Sequence, residues 1–286
     1  KQYIKLNVEK YGGLLCAPWL DRPLSVAGRV VVRTEQGVAT RLVNVDRDLL
    51  IIPNLAIHMN RKANEGYEFN GQRDMLPLFG GKEAREGFLK LIAETAGVKE
   101  TDILDMDLFL YNRMKGTILG FEDEFIAASR LDDLQCVFAS LKGFLAAKPK
   151  RSVAIHCVLD NEEVGSGTKQ GADSTFLRDV LRRINQTMGR SEEEYLMALA
   201  SSFMVSADNA HSIHPNQPDK ADPTNRPFMN EGIVIKYSAN QKYTTDSVSS
   251  AIFKAVCKKA GVPFQVFANR SDILGGSTLG NISNAH

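Results

Sequence analysis

Val153-Ala154-Ile155-His156-Cys157-Val158-Leu159 runs directly into Asp160-Asn161-Glu162-Glu163-Val164-Gly165-Ser166-Gly167, and the reading of the chain turns on this junction. The first seven residues are almost continuously apolar, interrupted by His156, as a strand covered on both faces requires. The second stretch is acidic and then glycine-rich, so such a strand would end in a flexible turn carrying three carboxyl groups. Downstream, Phe176, Leu177, Val180, Leu181 and Ile184 recur at helical spacing and predict an amphipathic helix over 173–188. Residues 202–206 read as a second strand and 232–236 as a third. Residues 248–260 read as a helix with Ile252 and Val256 inward, and 264–268 as a fourth strand, with Gly261 and Pro263 punctuating the last turn. Upstream, Leu134, Val137, Phe138, Leu141 and Leu145 define another amphipathic helix that begins close to Asp132 and Asp133. Short apolar runs alternating with helices signal a parallel sheet with helices packed outside it.

Residues 10–104 have a different character. Short β-rich runs at 30–32, 40–45 and 49–52 precede one apolar-faced helix at 88–96, with no internal repeat. The expected fold class is therefore α/β: a mostly parallel sheet flanked by helices, built from residues 1–9 and 105–286, with a β-rich domain at 10–104 inserted between them.

Composition sets the outer limits. With 286 residues, 43% hydrophobic and 24% charged, the chain is globular and long enough for roughly two cores. Thirty-five Lys and Arg against 34 Asp and Glu give a net charge of +1, which supplies no field for nucleic acid or an anionic membrane. No segment reaches the ~20 apolar residues of a membrane helix, and no apolar leader opens the chain, so neither a signal peptide nor a membrane span is expected. Cys16, Cys136, Cys157 and Cys257 are dispersed without a Cys-x-x-Cys pair, which speaks against a thiolate zinc knuckle and fits a reducing, cytoplasmic setting.

The chemistry concentrates at strand ends, where open α/β sheets bind ligands. If the strands are parallel, the acids of 160–163 share one edge with Asp208, His211 and His214, and with Asp132 at the start of its helix. Carboxylates crowded at one edge repel unless protons or cations compensate, and oxygen donors with imidazole suit zinc, manganese or cobalt. Two metals fit better than one, with one of the adjacent glutamates ligating and the other acting as general base. Each residue also has a bland reading. A Glu-Glu-Val-Gly run is more often a solvated turn, Asp132 a helix cap, His211 and His214 surface or capping residues, His156 a core residue, and His58 a partly exposed histidine.

The sequence resembles the aspartyl aminopeptidase family of dinuclear zinc metallopeptidases over essentially its whole length. The resemblance rests on Tyr11-Gly12-Gly13, Trp19-Leu20-Asp21-Arg22, Ala27-Gly28-Arg29-Val30-Val31-Val32, Ile52-Pro53-Asn54-Leu55-Ala56-Ile57-His58 and Asp123-Glu124-Phe125-Ile126. It continues through Ser129-Arg130-Leu131-Asp132, Asp160-Asn161-Glu162-Glu163-Val164-Gly165-Ser166, Ser206-Ala207-Asp208 with His211 and His214-Pro215-Asn216, and Arg270-Ser271-Asp272. It implies Asp132 as the carboxylate bridging two zinc ions, Glu163 and Asp208 as ligands to one each, and Glu162 as the general base toward the metal-bridging water. It implies that His58, on the inserted domain acting in dimerisation, reaches a neighbouring subunit's site to stabilise the oxyanion, so the protein is expected to be a homo-oligomer. Lys236 is implied as a substrate-pocket lysine for an acidic side chain, its bland reading being a strand-end surface lysine, and His211 and Asp272 are placed with it on the substrate side. The family's further metal histidines come from a His-Thr-Asp-Ser-Pro type motif and a Met-His-Ser motif. Neither occurs among these residues, and His286, whose context precedes the family's final histidine, is not taken as a substitute; both ligands are expected outside this stretch.

The expected function is a cytoplasmic metalloaminopeptidase with two zinc ions, cobalt or manganese being alternatives, acting on peptides with an acidic N-terminal residue. Two alternatives stay open: a dinuclear zinc amidase acting on another N-acyl or aminoacyl substrate, and a non-catalytic oligomeric scaffold that has lost its metal ligands.

Overall fold

The computed structural model describes residues 2–276, 279, 280 and 282; His286 and the end of the 270–278 segment, Ser277 and Thr278, lie outside the described residues. The chain divides into two compact units, residues 1–129 and 130–286.

In the first unit, alternation in β2 (Leu24–Thr34) sends Leu24, Val26, Val30 and Val32 to one face, each at most 2% exposed. Burying a side chain of this kind contributes about 1.5–3 kcal/mol relative to leaving it in water, so the face specifies the register. β2 lies between two antiparallel neighbours, β3 (Gly37–Asn44) and β5 (Ile103–Asn112). Thr34 pairs with Gly37 across the two-residue turn Glu35-Gln36. At Gly28 the strands approach so closely that a Cβ would stand 2.0 Å from the Asp107 carbonyl oxygen.

Between the long strands run the one-turn helix α1 (Gly71–Asp74), β4 (Leu78–Gly81), which pairs antiparallel with β1 (Tyr3–Lys5), and α2 (Gly87–Ala96). α2 buries Ile92 and Ala93 and ends on Gly97 in the left-handed conformation. A short hairpin, β6 (Thr117–Leu119) with β7 (Phe125–Ala127), comes next. The sequence boundary near residue 105 falls inside β5, whose pairing with β2 from Leu24↔Asn112 to Val32↔Ile103 keeps the strand with the β-rich core.

The second unit carries α3 (Leu131–Ala146), α4 (Phe176–Thr187), α5 (Glu192–Ala200), β8 (Ile233–Tyr237), α6 (Ser247–Ala260) and β9 (Phe264–Ala268). Ser191 and Asp246 close capping boxes at the starts of α5 and α6. β8 and β9 pair in parallel, with Lys236 opposite Phe267, and α6 is the crossover between them.

The expected strands at 153–159 and 202–206 are not strands, so among the described residues the parallel sheet is this one pair. Apolar composition identifies the right character but not the ladder. A strand exists only when a neighbouring edge takes its amide and carbonyl groups, and here Val153, Val158 and Val205 are 61%, 55% and 57% exposed. None of the four cysteines forms a disulfide, and no helix among the described residues is long and apolar enough to cross a membrane.

Candidate metal centre

Asp132 and Asp133 stand where α3 is not yet helical. Arg130 has φ 64°, Asp132 has φ −82° and ψ 114°, and the peptide between the two aspartates is cis. No side-chain cap hydrogen bond is made at Arg130, the residue at the N-cap of α3. Asp132 and Asp133 meet Asp208, from the irregular segment after α5, in a group in which one carboxylate oxygen from each residue lies within 4.8 Å of the other two.

Glu162 and Glu163 are set by a tight local fold. Asn161 (φ 60°), Gly165 (φ 92°) and Ser166 (φ 61°) reverse the backbone around a 3-10 turn over Glu162–Val164. The turn is closed by the Gly165 amide donating to the Glu162 carbonyl at 2.8 Å and the Ser166 amide donating to the Asn161 carbonyl at 2.9 Å. Beneath it the Asn161 side chain donates to Thr168 Oγ1 at 2.9 Å, and Ser166 is buried. Gly171 is obligatory here, because a Cβ would stand 2.0 Å from the Ser166 carbonyl oxygen. The apolar run and the acidic turn thus deliver the two glutamates without a strand behind them.

Electrostatics joins these segments into one site. Burial, then the Asp208 carboxylate, then Asp133 and Glu163, push the Asp132 carboxyl above its ordinary pKa. Burial chiefly raises Asp133, with Asp208 adding to it, while the neighbouring Cys136 side chain and the Asn209 backbone N–H act the other way. Burial and then the charges of Glu163, Asp208, Asp132 and Asp133 raise Glu162. The half-buried Cys136 thiol is pushed up to about 12, first by burial and then by Asp133.

One cation answers the acids. Lys236 Nζ, on β8, donates to Asp208 Oδ2 at 2.8 Å and to the Asn209 carbonyl at 2.8 Å. The Asn209 side-chain oxygen accepts from Cys136 Sγ at 3.0 Å and its amide donates to Gln135 Oε1 at 3.5 Å, tying the segment to the first turns of α3.

Of the sequence-predicted residues, Asp132, Glu162, Glu163, Asp208 and Lys236 belong to this one neighbourhood. His211 is exposed, and exposed Asp272 is engaged by Arg270, with Nε–Oδ1 at 2.8 Å. His58 lies in the first unit, exposed on a 3-10 turn over Ile57–Met59. Asp133, Asn209 and Cys136 are site residues that sequence reasoning does not pick out; the Asp-Asp doublet and the residue directly after Asp208 are the signals on offer.

The donor set suits a divalent cation. Three carboxylates converge, and Oδ1 of Asp133 is buried with no hydrogen-bond partner, a costly state for an anionic oxygen. Hard oxygen donors of this kind are ligands for zinc or manganese.

Comparison with known proteins places the chain in context. The family described as aminopeptidase I zinc metalloprotease (M18) matches residues 1–286. A probable M18 family aminopeptidase 2 of Clostridium acetobutylicum is 51% identical over 290 residues, covering 99% of this chain and 67% of that protein. The solved Ape4 and Nbr1 complex matches with a TM-score of 0.92 at 36% identity, over 100% of this chain and 59% of the other. A Saccharomyces cerevisiae mApe1 dodecamer matches with a TM-score of 0.78 at 26% identity, over 99% of this chain and 64% of the other. The chain thus spans about two thirds of the length of its curated relatives.

Proposed function

The chain belongs to the aminopeptidase I zinc metalloprotease (M18) family, and on that premise we propose that it is the greater part of an aminopeptidase that removes an acidic N-terminal residue, aspartate or glutamate, from peptides. The observation that carries this reading is the meeting of Asp132, Asp133 and Asp208 beside Glu162 and Glu163, acids that the sequence holds 76 positions apart from Asp132 to Asp208.

Asp132, Glu163 and Asp208 would hold two zinc ions. Bound there, zinc polarises the scissile carbonyl and makes water acidic enough to ionise near neutral pH. Glu162 acts as general base: its carboxylate takes a proton from the attacking water and returns it to the nitrogen of the leaving amine. Lys236 receives the acidic side chain of the substrate, with His211 and Asp272 on the substrate side.

His58 acts at the oxyanion of a neighbouring subunit, which requires a homo-oligomer of the β-rich domain at 10–104; the dodecamer formed by mApe1 supports that assembly. A net charge of only +1 and the lack of a membrane helix among the described residues are in keeping with a cytoplasmic peptidase that binds neither nucleic acid nor membrane.

The test is a panel of aminoacyl chromogenic substrates on the full-length protein, with metal analysis before and after chelation. Asp- and Glu-substrates should be cleaved faster than Ala- or Leu-substrates, with activity lost on chelation and restored by zinc. Cleavage of N-acyl amino acids instead would favour the amidase, and a protein that neither holds metal nor cleaves any substrate would refute the enzyme reading.

A further inference from the structure

Lys236 is already engaged within the protein. Its side chain is 15% exposed, and its ammonium donates at 2.8 Å to Asp208 Oδ2 and at 2.8 Å to the Asn209 carbonyl. The ammonium also stands 5.5 Å from the centre of the Tyr243 ring, a cation–π distance. An ammonium has three protons; two are committed to hydrogen bonds and an aromatic face flanks the group.

The acceptors are not arbitrary. Asp208 is one of the three converging carboxylates, and Asn209 is the residue braced to α3 through Cys136 and Gln135. Lys236 therefore ties β8 to the loop that presents Asp208, and through Asn209 to the turn that presents Asp132 and Asp133.

We propose that Lys236 is a positioning residue of the metal centre: by pairing with Oδ2 it fixes the orientation in which the Asp208 carboxylate is presented to the cation. This rests on the reading that Asp208 is a metal ligand. Partners that hydrogen-bond a ligating carboxylate typically govern metal affinity or activity by about 10–100-fold. A lysine that only recognised substrate would matter for acidic substrates alone, whereas a lysine that orients a ligand matters for every substrate and for zinc itself.

The experiment titrates zinc calorimetrically into metal-stripped full-length wild type, Lys236→Gln and Lys236→Arg, and measures kcat and KM on Asp- and Ala-substrates. Lys236→Gln should bind zinc about 10–100-fold more weakly and lose kcat on the Ala-substrate, which has no acid for Lys236 to pair. Lys236→Arg, which keeps a cation able to reach both acceptors, should recover much of both losses. Lys236→Met, which keeps an apolar stem, replaces the glutamine variant if that protein melts below the assay temperature. Unchanged or tighter zinc binding, or damage confined to KM for the Asp-substrate, overturns the inference while leaving the metallopeptidase reading intact. A wild type that takes up no zinc removes that reading, and this inference with it.

Discussion

Glu162→Gln removes a charge and a proton acceptor while keeping shape. The turn that presents residue 162 is held by backbone bonds, Gly165 to Glu162 at 2.8 Å and Ser166 to Asn161 at 2.9 Å, and by the Asn161–Thr168 side-chain bond at 2.9 Å. None of these uses the Glu162 carboxylate, so the substitution leaves the turn intact. A positioned general base contributes about 10²–10⁴ in rate, or roughly 3–5 kcal/mol of barrier at 1.36 kcal/mol per decade. The variant should lose kcat by that factor with its zinc content unchanged, measured by steady-state hydrolysis of an Asp-substrate and by atomic emission. Glu163→Gln, one residue on, should instead lose zinc. Turnover of Glu162→Gln within tenfold of wild type would refute the assignment of the base. Loss of zinc in that variant would show that residue 162 is a ligand and that the two glutamates have been given each other's roles.

The same structure fixes three further outcomes. Asp132, Asp133 and Glu162 all have raised carboxyl pKa values, so at these three groups the folded metal-free protein holds protons that the unfolded chain releases. Their contribution to stability is full below the unfolded carboxylate pKa of about 4 and is lost as pH rises through the raised folded values, with zinc offsetting the loss. Metal-free urea midpoints across that window should fall more steeply, or rise less, with pH in wild type than in Asp133→Asn, and zinc should reduce the difference; equal slopes in the two proteins contradict the sign. Gly28→Ala, whose Cβ would meet the Asp107 carbonyl at 2.0 Å, should cost about 2–4 kcal/mol in denaturation. Gly13→Ala, with nothing within 4 Å, should be within about 0.5 kcal/mol of wild type, and equal effects at the two sites would disprove the close approach. His58→Ala, on an exposed turn, should leave melting temperature and zinc affinity unchanged and lower kcat, and an unaltered kcat would exclude it from the reaction.

Periodicity is readable wherever a local face decides the element. The stripe of Phe176, Leu177, Val180, Leu181 and Ile184 forms α4, the run 248–260 forms most of α6, and 264–268 forms β9, because an amphipathic helix or a short apolar strand between turn residues carries its own instructions. The pairing expected at 153–159 and 202–206 fails, because pairing is a property of two segments and of the edge they share. The β-rich region is legible as such, but its extent is not. The boundary expected near residue 105 falls inside Ile103–Asn112, and the antiparallel register of that strand with β2 shows where it packs.

The site is more legible than the sheet, for a physical reason. Carboxylates crowded together repel unless protons or cations compensate, so three acidic segments, each beside a turn or a helix start, are a signal that does not depend on strand pairing. Strand ends predict that Asp132 and Asp208 meet, and they do meet, although the segment before Asp208 is no strand. Convergence here is carried instead by side chains: Lys236 on Asp208, Asn209 on Cys136 and Gln135, and the reversed backbone at Arg130 and Asn161. Such bonds link residues 28 and 73 positions apart, and no periodicity encodes them. Sequence can therefore name the acids, because charge is a property of single residues, but not the lysine's hold on Asp208 or the asparagine that braces it. Those two contacts decide whether the cluster is a loose group of carboxylates or an oriented set of ligands.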